Sequence, residues 1–65
     1  MDNEVAARRA AQGWSQVELA ERLGVSRQTV ISIERGRFDP SLPLAFRLAA
    51  AFECRIEDLF RPDLS

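Results

Sequence analysis

Gly24-Val25-Ser26 places a helix stop and a helix start side by side, and no other stretch restricts the fold as much. Ahead of it, Ser15-Gln16-Val17-Glu18 spells a capping box: the Ser15 side chain binds the Glu18 backbone N–H and Glu18 reaches back. Trp14 and Leu19 flank that box at the positions of a hydrophobic staple. The spacing predicts a helix from Gln16 to about Leu23, with Val17, Leu19, Ala20 and Leu23 as its apolar positions. Gly24 ends it, because glycine takes the positive φ of such a turn without steric cost. Ser26 is the N-cap of the next helix. Two short helices joined this closely cannot lie along each other as a long hairpin, so they must cross sharply. Ala20 is small where they approach, and Leu19, Leu23, Val25, Val30 and Ile33 can share one interior.

The remaining punctuation predicts three more short helices. The first runs from about Asn3 to Gln12, with Val5, Ala6 and Ala10 as a weak apolar stripe and Gly13 as its stop. Arg8 and Arg9 are adjacent and cannot share a face: one can lie over the core while the other meets solvent or an acid. The helix after Ser26 ends at Gly36. Arg37-Phe38-Asp39-Pro40 then forms a loop, since Pro40 pushes Asp39 out of the helical region. Ser41 caps a helix over Leu42–Phe52, with Pro43 tolerated in its first turn. Leu44, Ala45, Leu48, Ala49 and Phe52 form its apolar stripe, and Phe46 adds a second edge. A last helix, Ile56–Phe60, carries Ile56, Leu59 and Phe60 and is closed by Pro62, with a frayed tail beyond.

No segment shows strand alternation, so the expected fold is all-α, a compact five-helix bundle forming one domain over residues 1–65. A chain of 65 residues is short for a core, and its single Cys rules out an internal disulfide, so packing alone must hold it.

Composition removes several chemistries. Without His, no Ser–His or Cys–His nucleophile pair exists, and one Cys does not supply a zinc site. The glycines stand too far apart for a phosphate loop. An enzyme is therefore a poor expectation; no catalytic residue, metal, cofactor or small-molecule ligand is expected. No apolar run spans a membrane, the charged N-terminus is not a signal peptide, and sparse cysteine suits a reducing setting. The expected location is the cytoplasm, and the expected role is binding.

Residues 16–35 have helix-turn-helix spacing, and the outward side of its second helix is chemically specific. It offers Arg27, Gln28, Ser32 and Arg35, with Thr29 and Ile31 nearby. Gln pairs with adenine, Arg with guanine, and an apolar group meets the thymine methyl. The helix start at Ser26 can receive phosphate, and Gln16 and Arg37 can do the same. Between Gly24 and Arg37, three Arg stand against one Glu, whereas from Phe52 onward two Arg stand against four acids. The whole chain is at −1 with a pI near 5.3, which predicts modest non-specific affinity for nucleic acid.

The run Gly13-Trp14-Ser15-Gln16-Val17-Glu18-Leu19-Ala20-Glu21-Arg22-Leu23-Gly24-Val25-Ser26-Arg27-Gln28-Thr29-Val30 resembles the Cro/cI-type helix-turn-helix regulators (lambda-repressor-like, xenobiotic-response-element family). Ile33-Glu34-Arg35-Gly36-Arg37, Pro40-Ser41-Leu42 and Ile56-Glu57-Asp58-Leu59-Phe60 extend the resemblance over nearly the whole chain, toward the short stand-alone members. It implies a repressor-type transcriptional regulator that reads the major groove of double-stranded DNA with its third helix, usually as a homodimer on a palindromic operator. By position, Arg27, Gln28, Ser32 and Ile31 fall to base reading; Gln16, Ser26, Thr29, Arg35 and Arg37 fall to the DNA backbone. Glu34 matches an acid that pairs with an Arg on the first helix, here Arg9. Apolar C-terminal residues Ile56, Phe60 and Leu64 are the expected dimer interface.

Two departures stand out. Arg8 occupies a position where the family often has Leu, and Glu53-Cys54-Arg55 replaces the common Gly-Val-Ser, removing a helix stop and a cap. Other residues have plainer readings. Trp14 and Cys54 read as core residues; Ile31 suits either packing or a methyl contact, and Phe60 either core or interface. The acidic C-terminal segment also fits a second class of function, a protein-interaction module in which DNA contact is secondary.

Overall fold

The computed structural model describes residues 1–62. They form helices α1 (Val5–Gln12), α2 (Gln16–Leu23), α3 (Arg27–Glu34), α4 (Leu42–Ala51) and α5 (Ile56–Leu59). The architecture is the expected all-α arrangement with one addition. Strands β1 (Asp2–Asn3) and β2 (Phe60–Arg61) pair antiparallel, Asp2 opposite Arg61 and Asn3 opposite Phe60. Leu64 lies outside the described residues.

The α2–α3 elbow forms as its residues dictate. Ser15 Oγ accepts from the Glu18 N–H at 3.0 Å, and the Glu18 carboxylate accepts from the Ser15 N–H at 3.1 Å. Gly24 takes φ 72°, while the N–H groups of Val25 and Gly24 donate to the carbonyls of Ala20 and Glu21. This is a Schellman closure, which satisfies carbonyls that a helix end leaves open. Ser26 Oγ then accepts from the Thr29 N–H at 3.2 Å and starts α3.

The core gathers one stripe from each helix. Leu19, Val30, Leu48 and Leu59 are wholly buried, and Val5 and Ile33 nearly so. Each contributes roughly 1.5–3 kcal/mol by leaving water. α2 packs on α3 and α4, α5 on α4, and α1 on α3. Trp14 is half-buried, stacks on Phe52 with ring centroids 5.5 Å apart, and carries the Arg22 guanidinium 4.1 Å above its ring. Cys54 packs against the core as expected.

Three apolar stripes are narrower than the sequence predicts. Ala6 and Ala10 are exposed, Val17 is 47% exposed and Phe46 58% exposed. Two-turn helices bury only a single stripe. Val17 lies about 200° around α2 from Leu19, and Phe46 the same distance around α4 from Leu44.

The N-terminal segment differs most from expectation. Asn3 lies before α1: its Oδ1 accepts from the Val5 N–H at 3.1 Å, and its Nδ2 donates to the Ile33 carbonyl at 2.8 Å. One amide thus starts α1 and holds the end of α3. Glu4 donates its N–H to the Leu59 carbonyl at 2.8 Å. Its carboxylate pairs with Arg61, raising that guanidinium's pKa above the ordinary value by hydrogen bond and charge.

The missing stop at Glu53 is met by strain. Glu53 takes φ 52°, and the N–H groups of Cys54 and Glu53 donate to the carbonyls of Ala49 and Ala50 in the same closure that Gly24 makes. At α5, the Asp58 carboxylate accepts from the Arg55 N–H at 3.0 Å. A guanidinium has no acceptor, so Arg55 cannot return the bond as Ser would. Glu53 and Arg55 thus leave α5 in place at some cost in stability. Glu53→Gly is expected to raise unfolding free energy by about 0.5–1 kcal/mol, relief of left-handed strain outweighing added chain entropy. Gly24→Ala should lower it by about 1 kcal/mol. Urea denaturation of both variants checks the assignment; loss of stability in Glu53→Gly would refute it.

Candidate nucleic-acid interface

Because α3 buries Val30 and Ile33, its other side must face outward. Arg27 and Gln28 stand exposed at its first turn, Ile31 and Ser32 half-buried at its second, and Arg35 and Arg37 exposed at its end. An eight-residue helix is about 12 Å long, comparable to the width of a DNA major groove. Gln28 Nε2 lies 3.5 Å from Ser32 Oγ, one turn along the same row. Among the described residues, no ion pair engages Arg27, Arg35 or Arg37. Every basic residue of the chain is Arg, whose planar fork suits bidentate contact with guanine or phosphate.

The helix start is set by Ser26 and Thr29, whose hydroxyls lie 3.0 Å apart. The first N–H groups of any helix lack partners within it, and Ser26 takes only that of Thr29.

Beneath the row sits a carboxylate hub. Glu34 Oε2 accepts from Arg9 Nε at 2.6 Å, and its Oε1 accepts from Gln16 Nε2 at 3.0 Å. Arg9 also donates from Nη1 to the Trp14 carbonyl at 2.9 Å. The Glu34 and Arg9 side chains are only 7% and 19% exposed. Arg9 is thus the member of the Arg8–Arg9 pair that meets an acid, and the hub joins α1, α2 and α3. Gln16, read from the sequence as a phosphate ligand, is tied here to Glu34. Its amide nitrogen carries two hydrogens, and one remains for a phosphate.

Phe38 was not singled out from the sequence. It is 38% exposed and lines a surface depression with Ser26, Gln28, Thr29 and Ser32. No periodicity marks a loop residue, so only the folded chain reveals it beside α3.

The expected interface residues separate. Phe60, taken as exposed, is only 6% exposed and belongs to the core, because β2 pairing turns it inward. Ile56 is half-buried and lines an apolar groove with Phe46, Ala49 and Cys54. Among the described residues there is no acidic, His or Cys cluster able to hold a metal ion, and no helix is long and apolar enough to cross a membrane.

An elbow of two short helices on a third and fourth defines a class, that of helix-turn-helix proteins. The helix-turn-helix family model matches residues 5–59, and the chain belongs to that family. It is 52% identical over 60 residues to an uncharacterized HTH-type transcriptional regulator of Methanocaldococcus jannaschii, covering 92% of this chain and 91% of that protein. Identity to the uncharacterized HTH-type transcriptional regulator YgzD of Bacillus subtilis is 48%, with the same coverage. Among solved structures, the restriction-modification controller protein C.AhdI of Aeromonas hydrophila superposes with a TM-score of 0.79 at 35% identity, over 88% of this chain and 86% of that one. The chain is a member of the HTH-type transcriptional regulators, with the helix-turn-helix DNA-binding domain of that class.

The hub predicts an asymmetric mutational response. Arg9→Ala leaves the Glu34 charge largely buried and should cost about 2–4 kcal/mol, whereas Arg8→Ala should cost well under 1. Pairing Arg9→Met with Glu34→Leu should recover most of the loss, since no lone charge remains. Thermal unfolding of the single and double variants is the check, and equal effects of Arg8→Ala and Arg9→Ala would contradict the hub.

Proposed function

We propose that this chain, a single domain over residues 1–65, represses transcription by binding a palindromic operator as a homodimer, with α3 of each copy in the major groove. The supporting observation is the outward row of α3: Arg27, Gln28 and Arg35 are exposed and Ser32 half-buried, and among the described residues no ion pair engages Arg27, Arg35 or Arg37. Arg27, Gln28, Ser32 and Ile31 read base edges. Gln16, Ser26, Thr29, Arg35 and Arg37 hold phosphates and set the register. The controller protein C.AhdI, similar in fold, is named for control of a restriction-modification system, which accords with a regulatory role.

One copy presents a small surface for a useful specificity ratio against genomic DNA, and two copies on half-sites one helical turn apart double it. The groove of Phe46, Ala49, Cys54 and Ile56 is the dimer face; Leu64, expected there from the sequence, lies outside the described residues. Ile56 keeps the role read from the sequence. Phe60 supports that face from within rather than lining it.

A second reading, a protein-interaction module, draws support from the exposure of Leu42 at 65% and Phe46 at 58%. A gel shift against genomic fragments at low salt separates the two: a specific band supports the regulator, and its absence the interaction module. A monomer by light scattering at high micromolar concentration, with and without operator, would exclude the homodimer.

Individual residues should divide by role. Gln28→Ala is expected to relax preference at one base pair, losing about 1–3 kcal/mol of discrimination. Arg37→Ala should weaken all sequences alike and lower the salt slope by about 1. Binding titrations on operator and scrambled duplexes at several salt concentrations measure both. The same sequence-independent loss in each variant would refute the division.

A further inference from the structure

Resting on that DNA-binding reading, we infer that Phe38 is a specificity residue whose ring receives a thymine methyl group in the major groove. The observation is its position. The ring lies outside the recognition helix, yet it shares a depression with Gln28 and Ser32 of the base-facing row and with Ser26 and Thr29 at the helix start. It is the only large apolar side chain in that depression and keeps 38% of its surface in water. Exposing an aromatic surface is unfavourable in the free protein, and an apolar partner relieves it. In a major groove, the apolar partner presented by the bases is the C5-methyl of thymine.

The loop holds the ring at fixed height. The Arg37 N–H donates to the Ser32 carbonyl at 3.0 Å and the Gly36 N–H to the Ile33 carbonyl at 2.9 Å, so the chain reverses directly after α3. Gly36 takes φ 72°, and the Met1 ammonium donates to the Gly36 carbonyl at 3.1 Å and pairs with Asp39 at 3.5 Å, so the loop is also held from behind. Pro40 restricts Asp39 on the far side. A ring presented this way loses little freedom on binding, which is the condition for an apolar contact to discriminate. Ile31, half-buried on α3, has less surface to offer.

The test uses the full chain and a duplex recovered by selection from a random pool. Each thymine of that site is replaced in turn by deoxyuridine, which removes the methyl and leaves the pairing edge unchanged. At one thymine per half-site, the substitution should weaken wild-type binding about three- to five-fold, the effect of one methyl-sized group. Phe38→Ala should bind the unmodified site about that much more weakly and be indifferent to deoxyuridine at that thymine, while keeping the response to every other. Phe38→Leu, apolar and smaller, should retain part of the response and serves if the alanine variant does not fold. A site without such a thymine, a deoxyuridine effect unchanged in both variants, or a loss equal on all sequences would overturn the assignment. Failure of the wild-type chain to select any sequence would refute the DNA-binding reading itself, a distinguishable result.

Discussion

A single carboxylate fixes the relation of three helices. Glu34 sits at the end of α3, accepts two hydrogen bonds from Arg9 on α1 and one from Gln16 at the start of α2, and is almost wholly withdrawn from water. The hydrophobic effect is non-directional and follows the apolar area removed from water. A bidentate ion pair is directional. Its net contribution to stability is modest, since desolvating both charges offsets their attraction. Its consequence is geometric: α3 is held at one rotation and height relative to the start of α2, the two elements that carry the proposed phosphate and base contacts.

Closure of the helix ends helps a small core suffice. Two-turn helices bury one narrow stripe each and would be marginal alone. Here α2, α3 and α4 are started by Ser15, Ser26 and Ser41, and α1 to α4 are each followed by a left-handed residue, Gly13, Gly24, Gly36 and Glu53. These devices are written in contiguous residues, and they were legible for that reason. The capping box, the serine caps and the elbow at Gly24 each depend on side chains within four positions of one another. The closure at Glu53 shows the limit of that legibility. A glycine marks a left-handed turn but is not required for one, and packing of Phe52, Leu59 and Cys54 holds Glu53 in a conformation its own preference opposes.

What was not legible depends on distant partners. A two-residue strand has no periodicity, so β1 and β2 leave no sequence signal, and the burial of Phe60 and the bridging role of Asn3 follow from their pairing. Val17 and Phe46 look like core residues in composition, and only the crossing of α2 with α3 and α4 decides which stripe is covered. Of the proposed site, the α3 row could be deduced because Val30 and Ile33 fix the inward side, and the remainder must face out. Phe38 could not, because its position depends on how a loop folds back along a helix.

Charge shows how structure changes a sequence count. Counted along the chain, Glu34 offsets one of the three arginines from Gly24 to Arg37. In the fold it does not: Arg9 neutralises it in a site hidden from solvent. The surface that α3 presents is therefore more positive than its own stretch of sequence suggests, by the full charge of that glutamate. Fields between exposed charges decay over about 8 Å at physiological salt, so the charges beside a contact matter more than the sum over the chain. A net charge of −1 describes the chain as seen from afar; a duplex in contact with α3 would meet Arg27, Arg35 and Arg37. An acidic protein can thus carry a cationic face, provided that the acid within that face is paired from behind.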